Sequence, residues 1–338
     1  MPVVQRRMGE EAGEELRSRH LLLLPDDVNP MDVEALVYTR YPEAAPTPDG
    51  GLRIGRHTLL TGPLVLDRAA AGAARVPDKW SLVYSVTCPT ERGDPPWPGT
   101  TDPDGLYRAF PDGLPMRAEG RAVDLLVAVA RRLGGAVRVH TSGVVLGPDP
   151  EVAVDVLVHA PYWLDPEVLH QALTISHPDA RLAIEGEPWL GPPSGLVDSP
   201  PDEAAAELTL EQRIALHARA DRLDAEAMAG EVVLDAYAVV LDVSRDRDEG
   251  LVEVLVHVAE EPPAAIAGLE WASRAVTYEV RWSPPDDVEA RLEAPGGAFV
   301  AMRRRAHALV LQVARAVVEA ADGVPVDADG FLLDRYSL

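Results

Sequence analysis

The chain contains the same stretch of sequence twice, and this repeat constrains its fold more than any other feature. Residues 121–133 align without gaps on residues 305–317, and six of the thirteen aligned positions are identical. After a slip of three residues, the similarity continues between residues 136–146 and 323–333. In both copies the apolar residues first recur with a helical period and then alternate, which predicts a helix followed by a strand.

A second repeat lies upstream, in the same order. Residues 21–44 align without gaps on residues 157–180, and three prolines coincide in the alignment. In each copy a residue type that caps helices, Asn29 or Asp165, stands directly before one of these prolines. This pair of residues is typical of a helix start. Two repeated blocks in one order predict an internally duplicated domain.

The order of the predicted elements indicates an α+β protein, an internal duplication of a ferredoxin-like (βαββαβ) sandwich. Residues 1–18 are predicted to form an N-terminal arm, either mobile or folded as a short surface helix. Residues 19–149 are predicted to form the first copy and residues 150–338 the second copy. The second copy is interrupted at about residues 190–270 by an insertion that consists of a helix and a β-hairpin. Surface connections tolerate insertions of this kind.

The helix of the downstream repeat is amphipathic. On a helical wheel its apolar residues form one stripe, made of Ala122, Leu125, Leu126, Val129, Ala130 and Leu133. Arg131 and its counterpart Arg315 lie opposite the stripe, so a solvated or salt-bridged role is predicted for them. Equivalent strands are predicted at residues 80–86 and 276–282. Within the insertion, the sequence predicts a linker at 191–201, a helix at 202–230 and strands at 232–243 and 251–258.

The composition argues against several classes of partner and location. The formal net charge is −24, which disfavours nucleic acid and anionic membranes, because both bind clustered Lys and Arg. Cys88 is the only cysteine, so no internal disulfide is predicted and a reducing cytoplasm is the expected location. No apolar run has the length of a signal peptide or a membrane span. The single lysine, Lys79, among many Ala, Arg, Pro and Gly residues is typical of a high-GC bacterial genome.

Two patterns resemble metal sites, and each has a simpler interpretation. Residues 242–253 place oxygen-bearing side chains at the spacing of a calcium loop, but Arg247 occupies the position that needs glycine. A charged hairpin tip is the favoured interpretation. His159, His170 and His177 fall near one another in the second copy. No zinc motif joins them, so satisfied or surface histidines are expected, and no metal site is predicted.

Signatures of cofactors and nucleophiles are also missing from the sequence. No phosphate-binding glycine motif and no nucleophile elbow occurs at a strand–helix junction, so no cofactor is predicted. Cys88 follows a strand, but no base or orienting group accompanies it. A small, partly buried thiol is the expected interpretation, and the catalytic residues stay unknown.

The candidate binding residues follow from an expected topology. If the first and third strands of each sandwich run parallel, the loops that follow them meet at one edge of the sheet. These loops contain the residues predicted to bind a ligand or partner: Asp26, Asp27, Trp97, Trp163 and Asp165. The simpler alternative is that the aromatic residues only staple a long loop to the surface.

The sequence therefore favours a non-catalytic binding or assembly protein whose partner is a protein or a small-molecule ligand. The alternative is an enzyme that uses Asp and His residues in a cleft between the two copies. Perturbed carboxylates or histidines in one deep pocket would favour the enzyme, whereas an aromatic-bearing surface without them would favour the binding protein. Because this edge is acidic, it would prefer a cationic or hydrogen-bond-donating partner, or a metal ion that bridges to an anion. The oligomeric state stays open.

Overall fold

The computed structural model of the protein describes residues 6–8, 10–48, 50–140, 142–183, 209, 236–259, 261–335 and 338. These residues form an α+β fold with two sheets and eight helices. Within them, no helix has the length and apolar character needed to cross a membrane. Apart from Thr209, the predicted linker at 191–201 and helix at 202–230 lie outside the described residues.

The first half of the chain, here called unit one, contains eight strands and five helices. In chain order these elements are β1 (Arg6–Met8), α1 (Glu10–Leu16), β2 (His20–Leu24), α2 (Pro30–Arg40), β3 (Ala45–Pro46), β4 (Gly51–Gly55), β5 (Thr58–Leu66), α3 (Arg68–Ala74), β6 (Leu82–Thr87), α4 (Leu106–Ala109), α5 (Arg117–Arg132), β7 (Ala136–Arg138) and β8 (Val145–Leu146). Asn29 caps α2 as predicted, because its side chain accepts a hydrogen bond from the Met31 amide.

The second half, unit two, contains six strands and three helices among the described residues. These are β9 (Val156–Ala160), α6 (Pro166–Thr174), β10 (Arg181–Ala183), β11 (Ala236–Asp242), β12 (Leu251–Val258), β13 (Val276–Ser283), α7 (Asp287–Ala290), α8 (Gly297–Ala321) and β14 (Val324–Asp327). Helix α6 begins directly after Asp165, where the sequence predicts a helix start.

The six principal strands have the same order in both sheets. The sheet of unit one runs β3-β4-β5-β6-β2-β7-β8, and the sheet of unit two runs β10-β11-β12-β13-β9-β14. Neighbours along both paths are antiparallel, and β1 pairs in parallel with the end of β5. Taken along the chain, β2 to β7 of unit one therefore correspond to β9 to β14 of unit two, strand by strand.

The residue register of the two sheets also agrees. Tyr84 of β6 lies opposite Leu22 of β2, and Tyr278 of β13 lies opposite Val158 of β9. Leu22 and Val158 are equivalent in the upstream repeat, and all four side chains are buried. The upstream repeat thus marks equivalent positions in the two central strand pairs.

The strand pairing corrects one detail of the downstream repeat. Ala136 lies opposite Leu23, and Val324 lies opposite His159. Because Leu23 and His159 are equivalent upstream, Ala136 corresponds to Val324. The alignment made on the sequence alone pairs Ala136 with Gly323, which is wrong by one residue.

The hairpin predicted as an insertion belongs to the sheet itself. Strands β11 and β12 pair over their full length, and β12 then pairs with β13. They occupy the places that β4 and β5 hold in unit one, and Val252, Val254 and Val256 of β12 are buried in the core. Each sheet therefore has six principal strands, two more than the predicted four-stranded sandwich.

Helices pack on the faces of both sheets in the described part of the chain. In unit one, α2 and α5 cover one face, and α1 and α3 pack together over the other. The apolar stripe predicted for α5 is buried, with only Leu133 partly exposed. In unit two, α6 and α8 cover one face. Residues 10–16, predicted as part of an N-terminal arm, thus form a packed helix in which Leu16 is buried.

The two units share buried contacts. Phe331, which follows β14 of unit two, is fully buried within the core of unit one. Arg131 of α5 forms ion pairs with Asp104 of unit one and Asp329 of unit two. Arg108 and Glu293 form a further ion pair across the boundary, at 2.6 Å.

Candidate functional site

The predicted convergence of loops at one edge is wrong. Strands β2 and β6 are antiparallel, and so are β9 and β13. In a split β-α-β arrangement the third strand runs between the first two and opposite to them, so its following loop leaves from the other end of the sheet. Asp26 and Asp27 follow β2 near the start of β6, whereas Trp97 lies in the loop beyond the end of β6.

The five predicted site residues consequently lie in three loops: Asp26 and Asp27 in one, Trp163 and Asp165 in a second, and Trp97 in a third. Asp26 and Asp27 are exposed in the turn before α2, and Asp165 is the exposed cap of α6. Trp163 is partly buried and packs edge-on against Tyr237, with ring centroids 5.4 Å apart. These residues do not form one site.

Trp97 is the more exposed of the two aromatic residues, with a relative exposure of 82%. It lies in the segment between β6 and α5, residues 88–116, which we call the long loop. The two ends of this loop pair with each other, since the Gly93 amide donates to Leu114 O and the Met116 amide donates to Glu91 O, both at 2.9 Å. This paired stem joins the loop to the sheet.

The middle of the long loop is held by side chains. The Asp102 carboxylate accepts hydrogen bonds from the Leu106 and Tyr107 amides, at 2.9 and 2.6 Å, where the short helix α4 begins. Arg108 donates two hydrogen bonds to Glu293 of unit two, at 3.0 and 2.6 Å. The loop therefore has a defined conformation at both sides of Trp97.

A shallow depression of about 380 Å³ surrounds Trp97. Its lining combines apolar rings with the charged pair that links the units, and includes Pro96, Pro98, Tyr107, Arg108 and Glu293. An apolar centre with a polar rim is typical of protein–protein interfaces.

Beneath the stem of the long loop lies a cluster of three ionisable side chains: His20, Glu119 and His140. His20 is the first residue of β2, Glu119 lies in the first turn of α5, and His140 follows β7 by two residues. His20 and Glu119 are 2% and 0% exposed, and His140 is partly exposed.

The cluster is held by short polar contacts. His20 Nε2 lies 2.9 Å from Glu119 Oε1 and 3.0 Å from His140 Nδ1. The second oxygen of Glu119 accepts a hydrogen bond from the Glu91 amide at 2.8 Å. Glu91 in turn accepts from the Ala118 amide at the start of α5. The stem of the long loop and the start of α5 are therefore fastened to one carboxylate.

Arg92 connects the cluster to the surface. Its guanidinium lies 2.8 Å from Glu119 Oε1 and is stacked 4.5 Å above the ring of Phe110. Both side chains also line a small cavity of about 150 Å³. The positive charge compensates the buried carboxylate, which would otherwise be costly to bury.

The surroundings of Glu119 and His140 change the pKa values of both side chains. Burial favours a higher pKa for Glu119, but hydrogen bonds from His20 and the Glu91 amide, with the charge of Arg92, outweigh it and lower the pKa. Burial, and then the neighbouring His20, lower the pKa of His140 to about 4. At neutral pH the cluster therefore contains a carboxylate and a neutral His140 imidazole.

Unit two lacks this cluster at the equivalent positions. The strand register places Val156 where unit one has His20, and counting along the downstream repeat places Arg303 where unit one has Glu119. Arg303 is buried and ion-paired with Asp149 at 2.5 Å. The shared topology thus forms without the cluster, so the fold itself does not require these three residues.

A cleft of about 320 Å³ lies between the units. Arg131 and Arg132 of unit one line it together with Asp155, His307 and Asp327 of unit two. Burial raises the pKa values of Asp155 and Asp327 and lowers the pKa of His307. The cleft therefore combines carboxyl and imidazole groups with perturbed proton affinity.

Three of the remaining candidate residues have structural partners: Asp242, Glu253 and His170. Residues 242–253 span a β-hairpin, as favoured, with Asp242 paired to Arg181 and Glu253 paired to Arg281. His170 contacts the Ala180 carbonyl at 2.9 Å.

Cys88 is partly buried. Burial, and then the charge of Glu119, raise the pKa of its thiol to about 11. A thiol with this pKa is a poor nucleophile at neutral pH.

His20, Glu119 and His140 are not among the residues predicted from the sequence. Glu119 and His140 lie 99 and 120 residues from His20, so no local motif joins them. The repeats contain the available signal: extending both alignments by one or two residues pairs His20 with Val156 and Glu119 with Arg303. His20 and Glu119 can bind a metal ion, whereas Val156 and Arg303 cannot. This difference between the two copies is the signal that could have identified them.

Comparisons with protein-family models, with curated proteins and with solved structures gave no significant match.

Proposed function

We propose that the chain is a non-catalytic binding protein whose protein partner docks on the long loop, with Trp97 as the central contact. The observation that carries this proposal is the 82% exposure of a tryptophan on a loop held by hydrogen bonds at its stem and middle. Exposed tryptophan is unfavourable, since burying a side chain of about 200 Å² contributes about 5 kcal/mol.

The fixed conformation of the loop supports the proposal. Ordering a flexible loop at an interface opposes binding, so a loop that is already ordered binds with a smaller loss of entropy. Tryptophan is enriched among the residues that contribute most to binding, especially where polar contacts surround it. The Arg108–Glu293 pair provides such a contact beside Trp97.

The charge of the protein indicates the kind of partner. The net charge is −24, and Asp94 and Asp112 are exposed on the long loop itself. Complementary charge accelerates association and disfavours partners of like charge. We therefore expect the partner to present a basic surface with an apolar pocket for Trp97. A cytoplasmic location is proposed from the lone Cys88.

The test compares two substitutions of equally exposed side chains, Trp97→Ala and Ile175→Ala, both 82% exposed in the parent protein. Proteins captured from the native organism are quantified for each variant, and the dissociation constant of the recovered partner is then measured. Trp97→Ala should weaken binding by about 30-fold or more, while Ile175→Ala leaves it unchanged. Both variants should unfold within about 0.5 kcal/mol of the parent protein.

The contrary outcome for Trp97 is a stability effect without a binding effect. If Trp97→Ala lowers the free energy of unfolding strongly while each folded molecule still binds normally, the side chain is a loop staple. The proposed docking site would then be wrong.

A second candidate function, catalysis between the units, is favoured by the perturbed groups of the inter-unit cleft. Asp155 and Asp327 have raised pKa values and His307 a lowered one, as expected where side chains exchange protons with a substrate. A ligand screen by thermal shift tests this candidate, because a ligand selective for the native state raises the melting temperature. The rise should be lost in Asp155→Asn and kept in Trp97→Ala. A ligand effect insensitive to Asp155→Asn would remove the cleft from consideration.

We infer further that the two units arose by duplication of a ferredoxin-like βαββαβ sandwich extended by two edge strands. Support comes from the shared strand order and from the equivalent residue pairs at Tyr84 and Tyr278. Chance similarity would not be expected to preserve order and register together.

A further inference from the structure

We propose that unit one binds one divalent metal ion of the zinc class through His20 Nε2, His140 Nδ1 and Glu119 Oε1. The ligand atoms of these residues all lie within 4.8 Å of one another. Among the described residues, no other three His, Cys, Asp or Glu side chains meet this condition. Two imidazoles and one carboxylate form a known ligand set for zinc sites that keep a fourth position open.

The distances fit after a small adjustment. Ligand atoms of tetrahedral zinc, at metal distances of about 2.1 Å, lie about 3.4 Å from one another. His20 Nε2 lies 2.9 Å from Glu119 Oε1 and 3.0 Å from His140 Nδ1. These two pairs of atoms would therefore need to separate by about half an ångström to admit the ion. His140 is the least buried of the three residues.

Proton counting favours a cation at the point of convergence. An imidazole nitrogen carries either one proton or one lone pair. If His20 Nε2 donates its proton to the Glu119 carboxylate, it has no lone pair to accept from His140. That one proton points at the Glu119 oxygen, and the contact between His20 Nε2 and His140 Nδ1 is left without a proton of its own. A divalent ion in place of that proton would satisfy all three atoms at once.

Two contacts would change on metal binding. The His140 amide lies 3.4 Å from His20 Nδ1, and this long contact would be lost because a metal-bound ring carries its proton on the other nitrogen. The Arg92 guanidinium, 2.8 Å from Glu119 Oε1, would repel the ion. Metal binding should therefore displace Arg92 from this oxygen, which connects the ion to the stem of the long loop.

Unit two supplies an internal comparison. Its equivalent positions include Val156 and Arg303, which cannot bind a metal ion. Unit two has the same strand order without these ligands, so the fold does not require His20 and Glu119 to lie together in unit one. A purely structural buried pair would not need the second imidazole of His140.

The test uses the full chain without a histidine tag. Zinc is titrated by calorimetry, and cobalt is added as a spectroscopic probe whose visible absorption reports nitrogen and oxygen ligands in a site of low coordination number. We expect one equivalent of either ion to bind. His140→Ala should weaken binding by about 100-fold or more, because it removes a ligand near the surface. His177→Ala, which changes a histidine of unit two, should leave binding unchanged.

Substitution of Arg92 separates a metal site from a hydrogen-bonded network. Arg92→Gln should tighten zinc binding by about tenfold, because it removes a positive charge next to the ion. Circular dichroism and unfolding curves show which variants are folded, and His140→Ala serves as the decisive variant if His20→Ala or Glu119→Gln does not fold. The proposal is overturned if the folded parent protein binds no stoichiometric zinc, or if His140→Ala binds zinc as tightly as the parent protein does.

Discussion

His159 illustrates how burial controls the chemistry of a single side chain in this protein. Its Nδ1 lies 3.1 Å from the Thr277 hydroxyl, and only 3% of the residue is exposed. Burial, and then the charge of His257, lower the pKa of His159 to about 4, from an ordinary value of 6.5. Between these values the unfolded chain binds more protons than the folded chain does, so this residue destabilises the fold as the pH falls from about 6.5 to 4.

The pH dependence of His159→Gln tests this linkage. Glutamine keeps a polar side chain but does not titrate, so the variant should lose less stability than the parent protein between pH 7.5 and 5. The difference should be on the order of 1 kcal/mol, measured by urea unfolding at both pH values. Identical losses in the two proteins would show that His159 does not contribute to acid sensitivity.

Single residues were predictable where their partners are local. The Asn29 cap follows from its position before Pro30, and a satisfied His170 follows from the absence of a zinc motif. The cluster of His20, Glu119 and His140 was not predicted, because three distant segments meet only after the sheet has formed.

At the level of elements, α5 and α8 have similar sequences but different surroundings. Both bury most of the same apolar stripe, with Leu133 at the end of α5 and Leu309 of α8 only partly buried. Arg131 of α5 is only 8% exposed and forms ion pairs with Asp104 and Asp329, whereas the equivalent Arg315 of α8 is exposed. The predicted salt-bridged role is thus confirmed for Arg131. The burial of the Arg131 side chain depends on its contact with unit two.

This difference predicts unequal costs for equivalent substitutions. Arg131→Met leaves two carboxylates without their shared partner, so the free energy of unfolding should fall by about 3 kcal/mol. Arg315→Met should change it by less than about 0.5 kcal/mol. Chemical denaturation of both variants measures the two effects. Equal effects would mean that the ion pairs between the units contribute little.

The periodicity of the sequence identified helices and strands better than it identified neighbours. The stripe of α5 and the hairpin at residues 242–253 are both present. The hairpin was nevertheless assigned to an insertion, because alternation shows that a segment is a strand but not which strand pairs with it. The predicted parallel direction of β6 relative to β2 was wrong for the same reason, and this error placed the predicted binding residues at one edge of the sheet.

For the whole molecule, the repeated order of six strands gives two similar units with different surfaces. Among the described residues, a cluster of this kind is found only in unit one, where the long loop is fastened above His20, Glu119 and His140. Phe331 and the pair formed by Arg108 and Glu293 fix unit two against unit one. We therefore regard the long loop as the part of the surface in which binding function is concentrated.

Photo-crosslinking in the native organism tests this central claim most directly. A photoreactive amino acid with a large aromatic side chain, which keeps an apolar contact at position 97, replaces Trp97 in one variant and Ile175, which is equally exposed, in another. A partner that docks on the long loop should give a discrete adduct from position 97 and none from position 175. The absence of any adduct at position 97, or the same adducts at both positions, would contradict the proposed docking site.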